Sequence, residues 1–252
     1  TLYADHPYEW TPIGFVDDLD AASFSDLRNF FLRWYGPNNA TLVVSGDVNP
    51  EEVKAMVDKY YGTIKPCPRV SKQRPKRPVL ASNRYASMKD NIWLPLTSFS
   101  FPTVQEFHKD EAALDVLAQV FGGTNSSHLY KKFVKSEEAV QASAGQSALE
   151  LSGFFSIQVV SSFMGFKGFN DVETKIEEAI EEFAKTGISD EELKRTKAVF
   201  NSSFVDQLNS ISGKATQLSH WHMMKGNGYN LNDEIARYNA VTKEDVMRVF
   251  KR

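Results

Sequence analysis

The 252-residue sequence has a single cysteine, Cys67. One thiol excludes an internal disulfide framework and any zinc cluster built from cysteines. Cys67 stands between Pro66 and Pro68 and is read as a bystander in an extended stretch. No apolar run comes near the ~20 residues that a membrane-spanning helix requires. There is no surplus of positive charge. The formal net charge is −3, which argues against nucleic acid as the main partner, because such binders carry a basic face. Also missing are a His-x-x-Glu-His sequence, a Gly-x-Ser-x-Gly elbow and a Lys-Ser/Thr phosphate loop, so no complete catalytic motif is present. The first residues, Thr1-Leu2-Tyr3-Ala4-Asp5, carry neither an initiator Met nor a signal-peptide pattern, and are read as the interior of a longer protein.

What is present is globular. The chain is 42% hydrophobic and 24% charged, and it is long enough for one large domain or two of ordinary size. Residues 1–22 hold two closely spaced prolines, Pro7 and Pro12, and are expected to be irregular. Ser23 and Asp26 form the outline of a helix cap, followed by Leu27, Phe30, Phe31, Trp34 and Tyr35 on one helical face. Gly36-Pro37 stops that helix. Ala40–Val44 has the composition of a buried strand between two turns. Asn49-Pro50-Glu51-Glu52 starts the next helix, and Pro66–Pro78, proline-rich and basic, is read as a linker rather than a polyanion patch.

Beyond the linker, strands are expected around Tyr85–Met88 and Leu96–Phe101, the latter closed by Pro102 with Thr97, Phe99 and Phe101 on its buried face. A helix spans Asp110–Phe121. A glycine-rich turn and a short helix follow, then a strand pair at Val140–Ser147 and Gly153–Val160. A helix capped by Asn170 ends at Gly187, and Ser189-Asp190-Glu191-Glu192 caps a long one. Further helices cover about 212–224 and 231–239. The last begins at Thr242, and its pattern of cap, Asp245, Val246, Val249, Phe250 and Arg252 repeats that of Ser23, Asp26, Leu27, Phe30, Phe31 and Arg33. The repeat implies the back of one αβ unit and most of a second.

Few side chains invite chemistry. His220 and His222 lie two apart on a helical stretch and so point away from each other. His6 has no second histidine at ligand spacing, and His108 follows Glu106 in a loop with no helical frame. The acid pairs Glu137-Glu138, Glu177-Glu178 and Glu181-Glu182 are read as solvated helix faces. The one candidate site is the turn Gly122-Gly123-Thr124-Asn125-Ser126-Ser127-His128. A glycine-rich turn ahead of a helix can offer backbone N–H groups to an anion or a peptide carbonyl. The competing reading is a plain connection between helices.

Taken in order, His6-Pro7-Tyr8, Ile13-Gly14, Asp26-Leu27, Phe30-Phe31 and Tyr35-Gly36-Pro37-Asn38-Asn39-Ala40-Thr41-Leu42-Val43-Val44-Ser45-Gly46-Asp47 resemble the pitrilysin/insulinase family of zinc metallopeptidases, the inverted zincins. Phe101-Pro102-Thr103-Val104, Gly122-Gly123 with Ser126-Ser127 and Leu129-Tyr130, Gly153 with Phe155, and Gly187-Ile188-Ser189-Asp190-Glu191-Glu192-Leu193 resemble that family's inactive domain.

The resemblance implies an α+β fold of sandwich units, each an antiparallel sheet with helices on one face. Residues 1–65 would be the trailing part of one unit, 66–78 the linker and 79–252 a second, non-catalytic unit. It further implies a clamshell parent that hydrolyses peptides with zinc held by a His-x-x-Glu-His helix and a downstream Glu, all preceding Thr1. This piece would then have no catalytic residue and no metal, and its partners would be the zinc-bearing part, a second clamshell half and peptide. Many members carry a substrate-contacting Arg and Tyr where Val134 and Val140 stand here, a departure that points to the zinc-bearing half. A non-catalytic relative, serving as a structural or peptide-presenting subunit, is the alternative. The periplasm is the compartment expected from bacterial relatives of this layout.

Overall fold

The computed structural model describes every residue except Thr1, Arg74, Arg77, Lys167 and Asn227. The basic run Lys72–Pro78 therefore lies partly outside the described residues, at Arg74 and Arg77. Contacts divide the chain into two compact units, each assembled from separated stretches: Thr1–Glu9, Pro75–Asn201 and Glu234–Arg252 form one, Trp10–Arg74 and Ser202–Asp233 the other.

The first of these is α+β. Its antiparallel sheet has the order β1-β3-β2, with β1 at Leu96–Thr103, β2 at Ala139–Ala148 and β3 at Gly153–Ser161. β3 is central, and its alternation is clean: Phe155, Ile157 and Val159 are buried. β1 departs from expectation in two ways. It runs through Pro102 to Thr103, and Phe101 is exposed. Both follow from its place at the sheet edge among the described residues, where a proline costs no ladder bond and the outer side chains need not be covered. Residues 85–88 form no strand. Tyr85 instead sends its hydroxyl to Glu173 Oε1 at 3.1 Å.

Helix α4 (Glu111–Gly122) packs on β2 and β3 with Val116, Leu117, Val120 and Phe121 buried. Gly122 is pressed against β2. A Cβ there would fall against the Ala144 backbone nitrogen and 2.7 Å from the Ala144 Cβ. Helix α5 (Phe169–Thr186) buries Val172, Ile176, Ala179 and Phe183 along one face. It starts one residue before the expected cap, behind Gly168, so Asn170 lies inside the first turn. Gly187, at φ 64°, ends it. Helix α6 (Asp190–Gln207) opens on the expected reciprocal cap: Ser189 N donates to Glu192 Oε2, and Glu192 N to Ser189 Oγ. Helices α8 (Leu231–Asn239) and α9 (Lys243–Phe250) close the chain. The buried Asp110 carboxylate, at the start of α4, accepts from Arg248 Nη1 at 2.7 Å and Arg252 Nη1 at 3.1 Å, which fixes the end of the chain to α4.

The second unit contains α1 (Val16–Ala21), α2 (Phe24–Trp34), a 3-10 turn at Pro37–Asn39, α3 (Pro50–Tyr61), the end of α6 and α7 (Ile211–Lys225). The stretch expected to be irregular thus contains α1. Both repeated helices carry the same full capping box, Ser23 with Asp26 on α2 and Thr242 with Asp245 on α9. The strand expected at Ala40–Val44 does not form. Ala40 is extended, but no residue of the stretch has a ladder partner among the described residues. β-rich composition favours a pleated, half-covered surface, and without a neighbour it cannot make a sheet. Helix α2 has no buried residue: Phe24 is 81% exposed, Leu27 65%, Phe30 54% and Phe31 57%. Downstream, Asn38 holds the backbone of Cys67 in both directions, accepting from its N at 2.8 Å and donating to its O at 3.0 Å. Gly36 has no Cβ to obstruct that approach; one built there would be 2.5 Å from Cys67 N.

Candidate functional site

The turn Gly122–His128 links the C-terminus of α4 to a π-helical turn at Tyr130–Val134. It is largely self-bonded. Gly123 N donates to Gln119 O, Ser126 N to Thr124 Oγ1 and Ser127 N to Thr124 O. The buried Ser127 hydroxyl accepts from Tyr130 N at 3.3 Å, and Lys135 N closes the π turn on Tyr130 O at 3.1 Å. The tip that faces solvent is Gly123 and Asn125. Both glycines have packing reasons, since a Cβ on Gly123 would be 2.7 Å from Gln119 Cα.

His128 turns inward. Its ring meets Phe183 edge-on at 4.9 Å and Phe121 at 6.4 Å. Its Nε2 lies 3.4 Å from Glu192 Oε1 of α6. Burial pulls the imidazole pKa down, against the opposing pull of Glu192. For Glu192, burial acts upward, but hydrogen bonds from the Ser189 backbone and hydroxyl hold the carboxyl below its ordinary range. A depression of about 350 Å³ beside it is lined by His128, Lys131, Lys132, Ala179 and Glu182. Lys132 is occupied there by Glu182 at 2.6 Å and Glu178 at 3.3 Å. The turn offers hydroxyls and an amide for polar contact. It brings no nucleophile to a base.

The remaining candidates lie apart. His6 is 3% exposed among Tyr3 and Tyr8, with Nδ1 accepting from Tyr8 N. His108 Nδ1 accepts from Asp110 N. His220 and His222 are both on α7. Val134 ends the π turn, and Val140 is exposed on β2. Among the described residues, no group of three or more His, Cys, Asp or Glu could hold a metal ion. The donor set that zinc needs does not fit here.

A second polar cluster was not legible in the sequence. On α4, Glu111 and Asp115 face Glu234, Arg237 and Tyr238 of α8. Tyr238 donates its hydroxyl to Asp115 Oδ2, and Arg237 bonds to both Glu111 and Glu234. Phe107, at φ 57°, donates its N–H to Glu111, and its ring lies under the Arg237 guanidinium at 5.2 Å. Burial pushes the Asp115 carboxyl up to about 7, opposed by the Tyr238 hydrogen bond and reinforced by Glu111. Burial also raises Glu111, against the pull of Arg237. The only sequence signal was an acid in the apolar run Leu114-Asp115-Val116.

The antiparallel sheet and the helices packed on it define an α+β unit. The chain belongs to the M16 peptidases: the family profile described as "Peptidase M16 inactive domain" matches residues 21–200. It is 29% identical over 259 aligned residues to the zinc protease PqqE of Helicobacter pylori, covering 99% of this chain and 56% of that protein. It is 24% identical to the Bacillus subtilis protein named "Probable inactive metalloprotease YmfF", covering 96% of this chain and 56% of that one. A solved structure of a protease from Helicobacter pylori superposes with a TM-score of 0.86 at 27% identity, covering all of this chain and 61% of the other. The chain thus spans little more than half the length of the relatives it matches.

Proposed function

We propose that this chain is the non-catalytic scaffold and chamber wall of a zinc-dependent metalloendopeptidase that hydrolyses peptides or small proteins. Residues 1–65 are the end of one αβ unit, 66–78 its linker and 79–252 a second unit. The zinc belongs to a preceding part of the parent, and a second clamshell half, in the same chain or a partner, completes the chamber. The turn Gly122–His128 contacts peptide through its exposed tip, and a bacterial parent works in the periplasm.

The observation that carries this reading is the bare apolar face of α2, followed along the chain by a segment at 40–45 that joins no sheet among the described residues. Apolar patches of this kind mark surfaces that another element covers. The expected cover is the zinc-bearing part. In hydrogen exchange, amides of Phe24–Tyr35 should exchange at least about tenfold more slowly in the intact protein than in the isolated chain, a difference of about 1.4 kcal/mol. Equal exchange in both removes the reading. A second reading, a non-catalytic subunit, is favoured by the similarity to a protein named an inactive metalloprotease. Among the described residues, no helix is long and apolar enough to cross a membrane.

A further inference from the structure

We propose that the open face of the β1-β3-β2 sheet, centred on Gly145, is a contact surface for the main chain of a peptide and takes peptides of either charge. The inference rests on the reading of the parent as a peptidase, and it names the class of ligand that this wall meets. One face of the sheet is core, with Phe155, Ile157 and Val159 buried and Gly122 of α4 against Ala144. The pleat sends the alternate residues the other way. Register sets them in rows. Ser98 and Ser143 both pair with Gln158, and Ser100 and Gly145 both pair with Ser156. Ser98, Ser100 and Gln158 are exposed; Ser143, Gly145 and Ser156 are half-buried.

Two observations set this face apart from an ordinary solvated sheet. The first is charge. Exposed surface ordinarily carries about a quarter to a third of charged residues. No residue of β1, β2 or β3 is Asp, Glu, Lys or Arg, in a chain that is 24% charged. The charge of this unit stands on its helices, as at Glu177, Glu178, Glu181 and Glu182 of α5. What the open face offers is hydroxyls and amides. Among the described residues, the side chains of Ser98, Ser100, Ser143, Ser156 and Gln158 hydrogen-bond to no neighbour. On the core face, by contrast, Gln146 Nε2 donates to Thr103 Oγ1 at 2.9 Å. The second observation is Gly145. A glycine inside a strand costs stability and calls for a reason. Gly153 has one, since a Cβ there would fall 2.7 Å from the Ser147 carbonyl oxygen. A Cβ on Gly145 would meet only Ser156 Oγ, at 3.8 Å, an ordinary contact. Gly145 has no positive φ, and the bulge of β2 lies at Ala139–Gln141, away from it. The remaining reason for a strand glycine is the close approach of a ligand or another backbone. A peptide main chain fits both observations. It is neutral, it bears hydrogen-bonding groups at every residue, and it can lie low over a strip without a side chain.

The test is equilibrium binding of fluorescent acidic, neutral and basic peptides of equal length to the intact protein, read by anisotropy, which needs no cleavage. Gly145→Val puts a side chain favoured in strands into free space, so thermal stability should hold or rise. Affinity for all three peptides should fall alike, by at least about tenfold. Ser98→Lys with Gln158→Lys should tighten the acidic peptide and weaken the basic one, and Ser98→Glu with Gln158→Glu should do the reverse. The acidic-to-basic ratio of affinities should then differ by at least about tenfold between the two charge variants. Unchanged binding in a stable Gly145→Val, or the same ratio in both charge variants, would overturn the surface, as would an intact protein that binds none of the peptides. The expected pattern in an intact protein that binds but does not cleave would support the surface and remove the peptidase reading.

Discussion

Phe183→Ala is expected to lower the free energy of unfolding by about 4 kcal/mol, within the range for deleting a fully buried aromatic ring. Phe183 is 0% exposed. Its ring meets Phe121 at 5.4 Å, His128 at 4.9 Å and Phe250 at 5.0 Å. It therefore joins α4, α9 and the turn below α4 through one side chain on α5. The cavity left by alanine cannot close easily, because these contacts come from elements fixed elsewhere, α4 by the sheet and α9 by Asp110. Equilibrium urea unfolding followed by circular dichroism measures the loss. A change below about 1 kcal/mol would mean that the site collapses freely and that Phe183 is not the keystone of this packing.

Gly122→Ala is the second large effect, and two contributions oppose each other. Alanine in a helix is favoured over glycine by about 1 kcal/mol. Against that, the new methyl would meet the backbone nitrogen of Ala144 on β2, and a strand backbone has no rotamer to escape into. Overpacking of this kind costs about 1–3 kcal/mol and occasionally more. The steric loss should win, giving a net destabilisation of about 2 kcal/mol. Gly187, which tolerates its surroundings but sits at φ 64°, would also lose stability on the same change, through backbone strain and without a clash. Stability equal to or above the parent in Gly122→Ala would show that α4 can lift from β2.

These positions also mark what could be learned before any coordinates. The capping boxes at Ser23–Asp26, Ser189–Glu192 and Thr242–Asp245 are local, each satisfied within four residues, and each stands where its spacing placed it. The buried alternation of β3 is likewise a local pattern imposed by the pleat. Ala40–Val44 failed as a strand because strand formation requires a neighbour, and composition does not say whether one is present. Phe101 was misplaced for a related reason: an edge position lifts the requirement to bury it.

The candidate turn divides in the same way. In sequence Gly122 and Gly123 read as possible N–H donors, but their small size answers to packing against Ala144 and Gln119. The bond from Tyr130 N to Ser127 Oγ and the π turn cannot be distinguished from an ordinary short helix by periodicity. The Asp115 cluster was invisible because its partners on α8 are brought in only by tertiary packing. An aspartate in an apolar helix run was the one trace it left.

On the reading proposed above, this chain is scaffold and the chemistry resides in another part of the parent. The direct measurement is zinc content, by plasma mass spectrometry, alongside cleavage of a fluorogenic peptide, for the isolated chain and for the intact protein at equal concentration. One zinc and peptide cleavage are expected for the intact protein, and neither for the isolated chain. Stoichiometric zinc with cleavage in the isolated chain, or an intact protein that binds no zinc and cleaves nothing, would contradict it.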